Sequence, residues 1–327
     1  MFEGLAINVL ILVASLLALS RASHFAITNS VHLSDAAGYS KTTIGFLLVA
    51  FATSLPELLV SVFAALGAGA GGVAIGNVLG SNIVNICLIL GICILIYSRS
   101  NRIDLSFPLG MVQEELGSLY MGLFVASVIP LLLMYIREGG RIVGAILMLA
   151  FIYNTIRLSK ERVELGEEST GEHRGKLHQY LIYTFIGIAG VVVCSYFLID
   201  SASYVALSIG VPGVVIGSTI VAFGTSVPEL ATSLDATREG HIELAFGNIV
   251  GSVFVNLTLI LGFTLLTSPL PVSIIAFNDL AIFSLIANVM LWYFLSSSRL
   301  TWREGVMLLV LYGVFLVITF GGVVAGV

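Results

Sequence analysis

The sequence predicts an all-α integral membrane protein of about ten transmembrane helices, arranged as two inverted five-helix repeats. Three observations carry that expectation: an apolar composition, a succession of long apolar runs, and a motif that occurs twice. Of 327 residues 58% are hydrophobic and only 10% charged, with a mean hydropathy of +1.07, a balance that belongs to membrane-embedded chains. The net charge of −5 points to no partner, because the charges fall between apolar runs and build no basic or acidic face. Nothing supports nucleic-acid binding.

The spans follow from runs of roughly 20 apolar residues. The first, 4–30, starts at Met1-Phe2-Glu3-Gly4 without a basic leader and is too long for a secretory core, so it reads as a span that is not removed. The second (43–66) and third (74–97) carry the first copy of the motif, and the fourth (109–135) and fifth (142–159) complete a first repeat, 1–159. A hydrophilic linker, 160–177, contains Glu161, Arg162, Glu164, Glu167, Glu168, Glu172 and Arg174. The second repeat, 178–327, holds spans near 178–202, 213–236, 242–267, 275–296 and 304–325, with the second motif copy in the seventh and eighth.

The copies align residue by residue. Thr53-Ser54-Leu55-Pro56-Glu57 matches Thr225-Ser226-Val227-Pro228-Glu229, and Gly76-Asn77-Val78-Leu79-Gly80-Ser81 matches Gly247-Asn248-Ile249-Val250-Gly251-Ser252. An odd number of spans per repeat makes the second half enter the membrane from the opposite side. With the N-terminus outside, 12 of the 14 Lys and Arg residues fall on inner loops or helix ends, leaving Arg137 and Arg141 outside. The positive-inside rule then places both termini outside and the linker in the cytoplasm.

An acidic residue inside an apolar span is costly and marks an ion or substrate path. Residues three and four apart share a helix face, so Thr53 and Ser54 flank Glu57, and Thr225 and Ser226 flank Glu229. Pro56 and Pro228 kink their helices and release the Ala52 and Gly224 carbonyls. Spacing of four aligns Asn77, Ser81 and Asn85, and likewise Asn248, Ser252 and Asn256, on one stripe each. Gly76/Gly80 and Gly247/Gly251 have the spacing of close helix packing and are read as packing residues, not ligands. Two carboxylates, hydroxyls and amide oxygens without imidazole or thiolate suit hard cations, Ca²⁺ and Na⁺.

Two copies of TSxPE with GNxxGS resemble the repeats of the calcium/cation antiporter superfamily, in particular its Na⁺/Ca²⁺ exchanger branch of prokaryotic type. The motif segments run from about 43 to 97 and from about 214 to 267. The resemblance implies a secondary antiporter that exchanges Ca²⁺ for Na⁺ by alternating access. It implies Glu57 and Glu229 as the central Ca²⁺ carboxylates, with Thr53, Ser54, Thr225 and Ser226 as ligands. The Ala50 and Ala222 carbonyls would line Na⁺ sites, and Ser81, Asn85, Ser252 and Asn256 complete the metal-binding shell. The first and sixth spans would slide as a gate. Asn256 stands where several members carry an aspartate, which argues against K⁺ dependence, and Ala52 stands where glycine is common.

The implied partners are inorganic cations and the lipid bilayer, with no cofactor and no protein partner, in the cytoplasmic membrane of a prokaryote. The nearer rival is Ca²⁺/H⁺ exchange; a passive cation channel built from the same oxygens is the next. An enzyme is not expected, since no GxSxG, HExxH or Ser-His pairing accompanies the glutamates. Cys87, Cys93 and Cys194 read as core packing. Glu114, Glu115, Asp235, Glu239 and Glu243 read as water-facing, with Asp235 and Arg238 a helix-end pair, and His24, His32 and His241 as interfacial residues.

Overall fold

Among the described residues, helical elements occupy nine of the ten expected spans, and Val128 in the fourth is helical. The computed structural model describes residues 4–36, 53–67, 71–100, 128, 141–163, 176–238, 240, 242–267, 274–296 and 301–325. The fourth span (apart from Val128), most of the linker, and Ala50, Ala52, Glu114, Glu115, Arg137, Glu239 and His241 lie outside them. Every regular element among the described residues is helical.

In chain order these are α1 (Leu5–Ala36), α2 (Leu55–Leu66), α3 (Gly71–Ile83), α4 (Gly91–Ser100), α5 (Arg141–Val163), α6 (Leu177–Ile209) and α7 (Gly213–Ile216). They continue as α8 (Ala222–Thr225), α9 (Val227–Arg238), α10 (Ile242–Val255), α11 (Leu261–Thr267), α12 (Ile274–Ser296) and α13 (Trp302–Ala325). Among the described residues, five helices are long and apolar enough to cross a membrane unaided, and the bent pair Gly213–Thr225 with Val227–Arg238 makes a sixth.

Two boundaries run past the expected ones. α1 continues to Ala36 because Thr28 and Asn29, polar residues that suggest an end, turn their side chains back onto the His24 and Phe25 carbonyls at 2.9 and 2.8 Å. That bonding keeps a polar residue compatible with helix. α6 continues to Ile209 and stops only at Gly210, whose φ of 69° is the left-handed cap glycine tolerates.

Three π-helical turns among the described residues, Val84–Leu90, Gly217–Val221 and Asn256–Ile260, have no counterpart in the sequence reading. The first joins α3 to α4 and the third joins α10 to α11, so each stripe of polar residues ends on one of them. A π turn inserts a residue into the helical register and often marks a functional site. Apolar periodicity does not reveal it, because these segments are buried nearly all round.

Backbones cross closely at the centre. A Cβ on Gly76 or Gly80 would collide with the backbone of Val214 to Ser218, and a Cβ on Gly217 would collide with that of Val73. The glycines of the first copy thus seat α3 against the bent span of the second copy, the role expected of them. α1 and α6 run antiparallel at the periphery, where Gly187 lies against Ala26 and Gly190 against Ala22.

Candidate functional site

Glu57 begins the first turn of α2 and Glu229 that of α9; each follows a proline at the helix start, where the missing N–H costs nothing. Both carboxylates are 0% exposed. In the second copy the chain bends by 45° at Ser226, between α8 and α9, as the sequence predicts for Pro228. The equivalent bend before Pro56 involves residues outside the described ones.

The two halves exchange hydrogen bonds. Ser54, beside Glu57, donates to Oε1 of Glu229 at 3.5 Å, and Ser226, beside Glu229, donates to Oε1 of Glu57 at 3.1 Å. Ser252 donates to the same Glu229 oxygen at 3.4 Å. Thr53 lies against Glu229 and Thr225 against Glu57. The second oxygen of each carboxylate, Oε2, has no hydrogen-bond partner. Ser81 reaches the centre through Thr225, 3.4 Å between hydroxyls.

Asn85 and Asn256 are buried at 0% exposure, and neither amide group has a partner for its oxygen or nitrogen. Unmade bonds on buried polar groups are expensive, and the two carboxylate oxygens and the two amides each leave that capacity unfilled. Among the described residues there is no Arg or Lys in this cluster. The Ala222 carbonyl, expected to line a Na⁺ site, accepts from the Ser226 N–H at 3.1 Å and the Thr225 hydroxyl at 3.2 Å. Ala50 lies outside the described residues.

Sequence reasoning missed the anchors. Asn77 donates to Ser61 Oγ at 2.9 Å and to the Glu57 carbonyl at 3.2 Å, and Asn248 donates to Ser233 Oγ at 3.0 Å. These bonds tie α3 to α2 and α10 to α9 beside each glutamate. The signal was available: Ser61 and Ser233 each stand four residues after a motif glutamate. Outside the site, Asp235 and Arg238 form an exposed pair at 3.8 Å, and Cys87 and Cys93 are buried free thiols.

A helical membrane bundle with two acidic half-sites meeting in its buried centre has the architecture of a cation exchanger. The family model described as sodium/calcium exchanger protein matches residues 7–159 and 179–321, and the chain belongs to that family. It is 30% identical to the sodium/calcium exchanger MaX1 of Methanosarcina acetivorans, over 96% of this chain and 99% of that one. It is also 30% identical to inner membrane protein YrbG of Escherichia coli, over 74% of each.

Among solved structures, the sodium-calcium exchanger NCX_Mj superposes with a TM-score of 0.65 at 27% identity, covering 95% of this chain and 98% of that chain. The H⁺/Ca²⁺ exchanger CAX superposes with a TM-score of 0.75 over 97% of this chain and 88% of that chain, but at 13% identity. That second likeness is one of fold. The protein is a membrane-embedded member of an exchanger family that moves inorganic cations.

Proposed function

We propose that this chain is a secondary antiporter that exchanges Ca²⁺ for Na⁺ by alternating access, with Glu57 and Glu229 as the shared anionic centre. The observation that carries the reading is the crossed pair of bonds, Ser54 to Glu229 and Ser226 to Glu57, which draws two buried acids from separate motif copies into one cluster. Two carboxylates balance one Ca²⁺. Once it leaves, two desolvated charges in a low-dielectric interior require replacement cations, and that requirement couples the ions.

In this reading Thr53, Ser54, Thr225, Ser226, Ser81 and Ser252 supply hydroxyl oxygens. Asn85 and Asn256 supply amide oxygens, their free valences being the support for it. The Ala50 and Ala222 carbonyls serve Na⁺. The halves 1–159 and 178–327 are inverted repeats, the 160–177 linker is cytoplasmic, both termini are outside, and the membrane is the cytoplasmic membrane of a prokaryote. The distribution of Lys and Arg supports that orientation.

Ca²⁺/H⁺ exchange is the second reading, favoured by carboxylates that have no basic neighbour among the described residues and could be neutralised by protons. Proteoliposomes loaded with Na⁺ and diluted into Na⁺-free Ca²⁺ medium separate the two. Uptake driven by the Na⁺ gradient supports the first reading. Uptake that follows a pH gradient and ignores Na⁺ transfers the assignment to protons, and uptake that needs neither gradient indicates a channel.

A further inference from the structure

The two half-sites match in sequence but not in hydrogen bonding. In one, the Asn77 amide donates to Ser61, and its Oδ1 accepts from Thr225 Oγ1 at 3.1 Å, a proton that Asn77 shares with the Ala222 carbonyl at 3.2 Å. In the other, the Asn248 amide donates to Ser233 in the same way, yet its Oδ1 has no partner although the residue is only 6% exposed. By the correspondence of the copies, the donor that would complete it is Thr53, which lies against Glu229. An orphaned buried acceptor costs free energy that its twin does not incur.

We propose that Asn77 and Asn248 are positioning residues that bond to a threonine one at a time: the Thr225–Asn77 bond belongs to the state seen here, and a Thr53–Asn248 bond replaces it in the state open to the opposite side. The inference rests on the alternating-access reading. Each asparagine is anchored by its nitrogen to a serine on the neighbouring helix, so its oxygen is held still relative to that helix, while Thr225 ends the segment that bends by 45° at Ser226. Each threonine belongs to the copy opposite that of its asparagine, as Thr225 does to Asn77. Making one bond while breaking the other leaves the number of bonds unchanged, so the equilibrium between the states stays near balance and small differences in ion binding can tip it.

The test reads populations, not transport. Spin labels at Leu10→Cys on α1 and Val310→Cys on α13, both exposed positions, in a Cys194→Ala background, report the distance between gate and body in nanodiscs without Na⁺ or Ca²⁺. Asn248→Leu removes the acceptor of the absent bond and relieves the orphan, together with the anchor to Ser233 that both states share, so it shifts the ratio toward the distance seen here. Asn77→Leu shifts it the opposite way. Each shift is about fivefold, the size of one net hydrogen bond. Alanine at the same positions gives the same signs if a leucine variant does not fold. Shifts of the same sign in both variants, or no shift, overturn the proposal. A wild-type protein with one distance under every ion condition sinks the alternating-access reading, and the proposal with it.

Discussion

The central spans and the α1/α6 pair are made of similar apolar sequence but sit in different surroundings. In Gly71–Arg99 and Ala245–Thr267, 78% and 83% of the apolar window is buried; in Leu5–Ala26 and Leu177–Ile209 the shares are 22% and 33%. The centre is locked by backbone crossings at Gly76, Gly80 and Gly217, whereas α1 and α6 pack chiefly on each other through small residues. The buried glutamates, with their unpaired carboxylate oxygens, lie in the first environment, where a low dielectric makes an unpaired polar group costly. The pair meets the centre at fewer places than it meets itself.

The sharpest way to break this contrast is at the acids. Glu57→Gln or Glu229→Gln should abolish Ca²⁺ uptake in proteoliposomes while size-exclusion behaviour stays that of wild type; uptake at the wild-type rate in either variant removes that residue from the centre. Next comes steric change in the two regions. Gly80→Leu forces a side chain into the Ser218 backbone and should cost at least ~2 kcal/mol of thermal stability. Gly190→Ala meets only the Ala22 methyl at 3.1 Å and should cost less than ~1 kcal/mol. Equal losses would show that the periphery is as tightly built as the centre.

A third variant probes the seam between the regions. Leu16 of α1 occupies the space a Cβ on Gly224 would need, with its Cγ at 3.1 Å from that position. Gly224→Ala should therefore displace α1 and cost ~1–2 kcal/mol, recovered when combined with Leu16→Ala; no recovery in the double variant would mean the two do not meet. The smallest effect belongs to the surface. Asp235 and Arg238 are 73% and 65% exposed, so Asp235→Asn should change stability by no more than ~0.5 kcal/mol.

Much of the architecture was legible in the chain because burial in lipid constrains composition so strongly. Apolar runs located helices in nine of the expected segments to within a few residues at most described ends, and the duplicated motif located the two buried glutamates and the serines bonded to them. The extensions of α1 and α6 were not legible, since Thr28 and Asn29 can end a helix or bond back to it with equal local plausibility. Neither were the π turns, whose register is decided by neighbours on all sides. Ser61 and Ser233 could have been found by extending the alignment of the copies four residues further.

What the amino-acid order determined alone is the inventory: how many apolar segments there are, which of them hold acids, and that each acid has hydroxyls on its face. Only the folded molecule decided that Ser54 serves the glutamate of the other copy, that Ala222 gives its carbonyl to Thr225, and that Asn77 is satisfied where Asn248 is not. The reason is physical. Helical periodicity and desolvation act within a segment, but a hydrogen bond across about 170 residues of chain depends on how close two backbones come, and here glycines at the crossing set that distance.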